Sequence, residues 1–139
     1  MLSNQGIRYA IPDDFDLVEE QGGDFFGGPD EFEVVVVATP GDFSAAAQLI
    51  AFVKGIAHGL GVDPDSISLS EGFVRRESAQ VLKVAPGGFK APIPPGHSGR
   101  FVVWELPNKE HVIVVGGIAG AGQAAELDRM TDAIANSVR

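Results

Sequence analysis

Four consecutive valines, Val34 to Val37, leave little choice for the local backbone. β-branched residues favour extended structure, and neighbouring side chains in a strand point to opposite faces of the sheet. A run without polar residues therefore predicts a strand over 32–38 that is apolar on both faces. Such a strand is expected in a sheet that other parts of the chain cover on both sides.

Further strands are predicted where apolar residues alternate with polar ones or form short runs between turns. These segments are 7–11, 15–18, 67–70, 72–84 (with a polar interruption at 75–80), 101–106 and 111–115. The last two are joined by Pro107 to Glu110, which predicts a hairpin.

Apolar residues at steps of three and four predict a helix over about 43–58 and a closing helix over about 123–138. The order of elements predicts one α+β domain over 1–139, with a largely antiparallel sheet of about six to seven strands. Two main helices are expected to pack on that sheet.

Segments 21–30 and 85–99 are rich in glycine and proline, so both are predicted to be flexible loops. The glycines at 116–122 are predicted to link the last strand, taken to end at Val115, to the closing helix.

The 139 residues contain no cysteine, which excludes disulfides and thiolate metal sites. No apolar run is long enough for a transmembrane helix, and no signal peptide is recognised. The chain is therefore expected in the cytoplasm as written, or outside it if a leader has been removed. Its abundant alanine, valine and glycine suggest a GC-rich bacterial genome.

The net charge of −9 is concentrated near the N-terminus. Residues 1–33 hold nine acidic residues and one basic residue, whereas residues 34–139 hold ten and nine. This distribution argues against nucleic-acid binding through a broad basic face. A docking face for a basic partner is the functional interpretation of the acidic segment, and a solvated strand edge is the alternative.

No arrangement of residues typical of catalysis or metal binding is recognised. The three histidines, His58, His97 and His111, share no ligand spacing, and no serine lies in a nucleophile elbow. We therefore predict no catalytic residues, no metal and no cofactor.

Two local signatures resemble PsbP-like domains. The opening from Tyr9 to Phe15 is similar to the strand, Ile-Pro, turn and aromatic start of that family. The end from Ile134 to Val138 is similar to the close of its last helix. Asp14 and Phe15 stand where that family usually has Gly-Trp. The resemblance implies an antiparallel sheet flanked by helices and a non-catalytic accessory role.

Three functions follow as hypotheses. The first is a non-enzymatic binding module that docks on a partner protein or larger assembly. The predicted contact residues are Asp13, Asp14, Asp16, Glu19, Glu20, Phe25 and Phe26. The alternative is a ligand-binding domain or small enzyme, with a pocket rimmed by 85–99 and lined by His97, Arg100 and Glu105. A phage, secretion or immunity factor is a further alternative, and a homodimer is compatible with all three.

Overall fold

The computed structural model describes residues 2–3, 7–19, 23–29, 32–40, 55, 62–90, 93–94, 96–106 and 111–139. The strands are β1 (Leu2–Ser3), β2 (Arg8–Tyr9), β3 (Asp16–Glu19), β4 (Asp24–Gly27), β5 (Glu33–Pro40), β6 (Ile67–Val74), β7 (Glu77–Val84), β8 (Ser98–Leu106) and β9 (His111–Ala119). Helix α1 covers Ala124–Ser137, and a 3₁₀ turn covers Pro64–Ser66.

Seven of these strands form one sheet in the order β3-β4-β5-β9-β8-β7-β6, and every pair is antiparallel. The α+β fold and the antiparallel sheet predicted from the sequence are confirmed. The predicted hairpin is also present, because β8 and β9 pair from Leu106 opposite His111 onward. Strands β1 and β2 form a separate small pair.

The valine run forms part of β5, and both of its faces are covered. Val34 and Val36 lie in the larger apolar cluster, together with Trp104 and the buried face of α1. Val35 and Val37 pack against a second cluster on the opposite face of the sheet, around Phe101.

Helix α1 confirms the predicted closing helix and packs on β8 and β9. Its apolar stripe buries Leu127 and Ile134, and Val138 is buried just after its last turn. Within the described ranges it is the one complete α-helix. The helix predicted over 43–58 lies outside them except for Gly55.

Strand β9 continues past Val115 to Ala119, so the predicted start of the link at Gly116 is wrong. The glycines there are explained by close packing. A Cβ on Gly116 would lie 1.9 Å from Cδ1 of Phe101, and one on Gly117 would lie 2.8 Å from Cδ1 of Leu127. Absent side chains at these positions let a ring and a helix approach the strand.

Residues 67–84 form a hairpin whose turn the sequence analysis did not find. Strands β6 and β7 are joined by Arg75 and Arg76, and both have positive φ, 49° and 73°. Glycine or asparagine is typical of such turns. Here the end of α1 supports the turn, because Arg75 donates through its backbone N to Asn136 Oδ1 and through Nη1 to Val138 O, both at 3.0 Å.

The loop predicted over 21–30 is wrong at its centre, where β4 forms. Asp24 is buried there and accepts a hydrogen bond from the Tyr9 hydroxyl, and Phe26 packs edge-on against the Tyr9 ring. Segment 85–99 is irregular over most of its described residues. The described residues up to His97 form no helix or strand, and Ser98 begins β8.

Candidate functional site

A groove of about 750 Å³ lies between helix α1 and two N-terminal turns. We call it the helix–turn groove. Phe15, Phe32 and Ile134 are its buried floor residues, and Ile11, Pro12, Met130 and Ala133 form its apolar walls. Its volume lies in the range of sites that bind small molecules or short segments.

The N-terminal side of the groove is fastened to the C-terminal end of α1. Arg8 and Arg139 exchange two backbone hydrogen bonds, of 2.9 and 2.8 Å. The Ala10 backbone N donates to Ser137 Oγ at 2.9 Å. These bonds fix the chain that leads into the groove, although about 130 residues separate it from the helix end in sequence.

Two tight turns bring the floor residues together. The first turn closes with a bond from Phe15 N to Pro12 O, and the second with one from Phe32 N to Pro29 O, both 3.1 Å. The rings of Phe15 and Phe32 then lie 6.5 Å apart. Gly28 permits this arrangement, because a Cβ there would lie 2.4 Å from Cε2 of Phe15.

The rim of the groove carries charged side chains. Asp14 stands on the first turn, and Glu126 and Arg129 stand on α1, all of them exposed. Arg129 is ion-paired with Glu126 on the same helix. Asp14 therefore adds a negative charge at the mouth that this ion pair does not balance.

The structure places the predicted acidic contact residues as follows. Asp13 and Asp14 occupy the exposed first turn, and Asp16 is exposed at the start of β3. The Glu19 side chain and all of Glu20 lie outside the described residues.

The two phenylalanines predicted as contact residues lie in different environments. Phe25 is 38% exposed, whereas Phe26 is buried against Tyr9. The two point to opposite faces because they are neighbours in β4. Phe26 is therefore a core residue, and Phe25 lies on the sheet face opposite to α1.

The three residues predicted to line a ligand pocket do not converge. Arg100 and Glu105 point to opposite faces of β8 because side chains alternate along a strand and the two lie an odd number of positions apart. His97 is buried just before that strand.

Arg100 lies beneath helix α1 and forms hydrogen bonds with residues of that helix. Its Nη1 donates to Thr131 Oγ1 at 2.6 Å and to Asp132 Oδ1 at 2.7 Å. Lys83 and Arg100 also both contact the Asp128 carboxylate. Lys83 and Arg100 are thus both neutralised by acidic side chains of α1.

The helix side of the groove is not apparent from the sequence pattern. Arg129 and Ala133 belong to the polar face of α1, and nothing in the helical pattern alone marks them as part of a site. Met130 gave a partial signal, because it belongs to the apolar stripe of the helix and is only half-buried.

Metal-binding clusters and membrane-spanning helices are both absent from the described part of the chain. No cluster of three or more His, Asp or Glu side chains there is placed to hold a metal ion. None of its helices has the length and apolar character needed to cross a membrane.

Comparison with known proteins shows a likeness to a solved structure. No family model and no curated protein sequence matches the chain, so the resemblance to PsbP-like domains is not shown. The crystal structure of LpqN, a protein involved in cell envelope biogenesis of Mycobacterium tuberculosis, matches with a TM-score of 0.57. The match has 17% identity and covers 95% of this chain and 81% of LpqN. At that identity the likeness shows a shared fold.

Proposed function

We propose that this chain is a non-enzymatic binding module that holds a segment of a partner protein in the helix–turn groove. The observation that carries the proposal is the position of Asp13 and Asp14, on the turn that forms the mouth of an apolar groove. The acidic segment and an apolar surface thereby become parts of one site.

The floor of the groove supplies the apolar part of the binding energy. Phe15, Phe32 and Ile134 are held by the core, so they lose little conformational freedom when a partner binds. An apolar centre with a polar rim is the usual anatomy of a protein–protein contact. The residues of the partner that fill this centre are expected to dominate its affinity.

The rim indicates the chemistry of the partner. Asp13, Asp14 and Asp16 are exposed on the first turn and the strand that follows it, and the cation on the helix side is already paired with Glu126. A segment with one or two apolar side chains beside lysine or arginine fits this surface. Charge complementarity of this kind raises the association rate and selects the partner.

The absence of enzymatic activity is part of the proposal. Among the described residues that line the groove, the polar side chains are those of Asp14, Glu126 and Arg129. This set lacks a nucleophile paired with a base, which acyl or group transfer commonly requires.

The likeness to LpqN suggests where a partner can be sought first. LpqN is involved in cell envelope biogenesis. A shared fold does not transfer a function. The proposal therefore takes from LpqN only the cell envelope of the native host as the first source of partners.

A small apolar ligand is the second candidate for the same groove. The volume of about 750 Å³ and the apolar floor favour it. This ligand would replace the pocket predicted around segment 85–99, whose residues the structure does not bring together.

Selection from a random peptide library on the immobilised protein tests the proposal. We expect enriched peptides that combine apolar residues with lysine or arginine. Their affinity should fall at least about tenfold with Ala133→Arg, which places a long cation in the groove. Ala125→Arg is the matched control, because Ala125 is exposed on the same helix and does not line the groove.

Two outcomes oppose the proposal. Enriched peptides that bind both arginine variants as well as the wild type would place the site elsewhere. If no peptide is enriched and an apolar dye binds the wild type but not Ala133→Arg, the groove binds a small apolar ligand instead.

A further inference from the structure

Strand β6 forms one edge of the sheet, at the opposite side from β3. The turn that joins β6 to β7 has two residues, so Val74 and Glu77 form a hydrogen-bonded pair. The N–H and C=O groups of the even-numbered residues of β6 therefore point towards β7. A bond of 3.2 Å from Ala85 N to Ser66 O fits this pattern. The odd-numbered residues therefore turn their N–H and C=O groups outward, where no described strand pairs with them.

Two large apolar side chains of this edge are exposed to solvent. Leu69 is 60% exposed and Phe73 is 74% exposed, and both project from the same face as Ile67. Natural edge strands usually carry lysine, proline or a bulge that prevents pairing. Residues 67–74 contain no lysine or proline, and their ladder with β7 runs through eight residues without a bulge.

Opposite charges stand at the two ends of β6. Asp63 and Asp65 are exposed just before it, and Arg75 and Arg76 are exposed just after it. If a second copy of β6 paired with the first in antiparallel orientation, the basic end of each strand would lie beside the acidic end of the other. This self-complementarity identifies a second copy of the chain as the partner that fits the edge.

We propose that two copies of this chain pair through β6, antiparallel and about a two-fold axis at Ser70. In this register Ile67 lies opposite Phe73 of the second copy, and Leu69 lies opposite Glu71. A shift of two residues in one direction would set Glu71 against Glu71, which is unfavourable. A shift in the other direction would set Phe73 against Asp65.

The pairing joins two seven-stranded sheets into one continuous sheet. Both copies contribute outward N–H and C=O groups from Ile67, Leu69, Glu71 and Phe73, and an apolar pair of Ile67 with Phe73 forms at each end of the paired strands. The helix–turn groove lies away from this edge, so the dimer is independent of the proposed binding function.

Sedimentation velocity over a range of concentrations tests the dimer. The wild type should approach twice the monomer mass of 14.6 kDa as concentration rises. Leu69→Glu should remain a monomer, because each introduced carboxylate would lie opposite Glu71 of the other copy, and like charges directly opposite destabilise a strand pair. Leu17→Glu is the matched control, since Leu17 is exposed on β3 at the other edge and its variant should dimerise like the wild type.

A charge exchange tests the proposed orientation. Arg75→Glu should weaken the dimer, because position 75 lies opposite Asp65 of the second copy, and adding Asp65→Arg to it should restore dimerisation. Circular dichroism of each variant separates loss of pairing from loss of folding.

Cross-linking tests the register directly, because the chain has no cysteine of its own. Ser70→Cys places two thiols opposite each other on the axis, within the Cα distance that a disulfide requires. Ser68→Cys faces Gly72 of the second copy and should not cross-link. A wild type that stays monomeric at every concentration, or equal cross-linking of the two cysteine variants, would overturn the proposal.

Discussion

Arg100 and Asp132 join the sheet to the terminal helix, with Nη1 of the arginine 2.7 Å from Oδ1 of the aspartate. The Arg100 side chain is 11% exposed, whereas that of Asp132 is 56% exposed. The same Nη1 also donates to Thr131 Oγ1. A mostly buried cation of β8 is thus held by groups of α1, and the helix that it holds forms one wall of the groove.

We expect Arg100→Ala to lower the free energy of unfolding by about 2 kcal/mol, since hydrogen bonds to a charged group are lost from a largely buried position. Lys83→Ala removes a pair between exposed side chains and should cost less than about 1 kcal/mol. Urea unfolding measures both. Equal losses would show that the buried arginine has no special role in holding the helix.

Gly116→Ala should destabilise the fold by about 1–3 kcal/mol, because its Cβ would overlap the ring of Phe101. Adding Phe101→Leu should recover part of that loss, as contacting residues couple. Gly96→Ala is the control, since a Cβ there would meet Ala121 Cβ at an ordinary 3.5 Å. Thermal unfolding of the wild type, of Gly116→Ala and Phe101→Leu alone and of the double variant measures the coupling, and strict additivity would contradict it.

Arg76→Gly should stabilise the protein by about 0.5–1 kcal/mol, because glycine adopts positive φ without the penalty that arginine carries. Arg75→Gly should gain less, since it also removes the bond from Nη1 to Val138 O. Both are compared with the wild type by urea unfolding at a concentration where the chain is monomeric. Loss of stability in Arg76→Gly would refute the strained turn.

Tyr9→Phe should lower the free energy of unfolding by about 1–3 kcal/mol, because it removes a hydrogen-bond donor from the buried Asp24 carboxylate. A double-mutant cycle with Asp24→Asn measures the coupling energy between the two side chains. A coupling energy near zero would show that the hydroxyl contributes nothing to holding β2 against β4.

Hydrophobic pattern was enough to predict the parts of the fold that follow one period. The valines of β5 and the stripe from Leu127 to Ile134 lie where their spacing predicts. Those segments bury their own side chains, so their local sequence carries the information.

Glycine was ambiguous because it has two uses. In segment 21–30 the glycines predict a loop. However, a Cβ on Gly23 would lie 2.7 Å from Val37 Cγ2. That glycine permits close packing beside β4. Conversely, the turn at Arg75 and Arg76 contains no glycine and is supported by Asn136, which is distant in sequence.

The candidate site could be predicted only in part, because its two sides are distant in sequence. The acidic residues Asp13 and Asp14 are visible in sequence as a charged turn. Their apolar counterparts on α1, Met130 and Ala133, lie more than a hundred residues away and meet that turn only in the folded chain. Sequence pattern identifies a charge but not the surface that folding places beside it.

Affinity capture from a cell-envelope extract of the native host tests the proposed binding site most directly. The baits are the wild type, Ala133→Arg and the pair Asp13→Asn with Asp14→Asn. Their controls are Ala125→Arg and the pair Glu77→Gln with Glu105→Gln, which removes the same charge from exposed positions elsewhere.

We predict a partner that the wild type and both controls retain and that both site variants lose. High salt should weaken its retention, because the exposed aspartates then attract it less. Capture of the same proteins by all five baits, at low and at high salt, would contradict the helix–turn groove as the binding site.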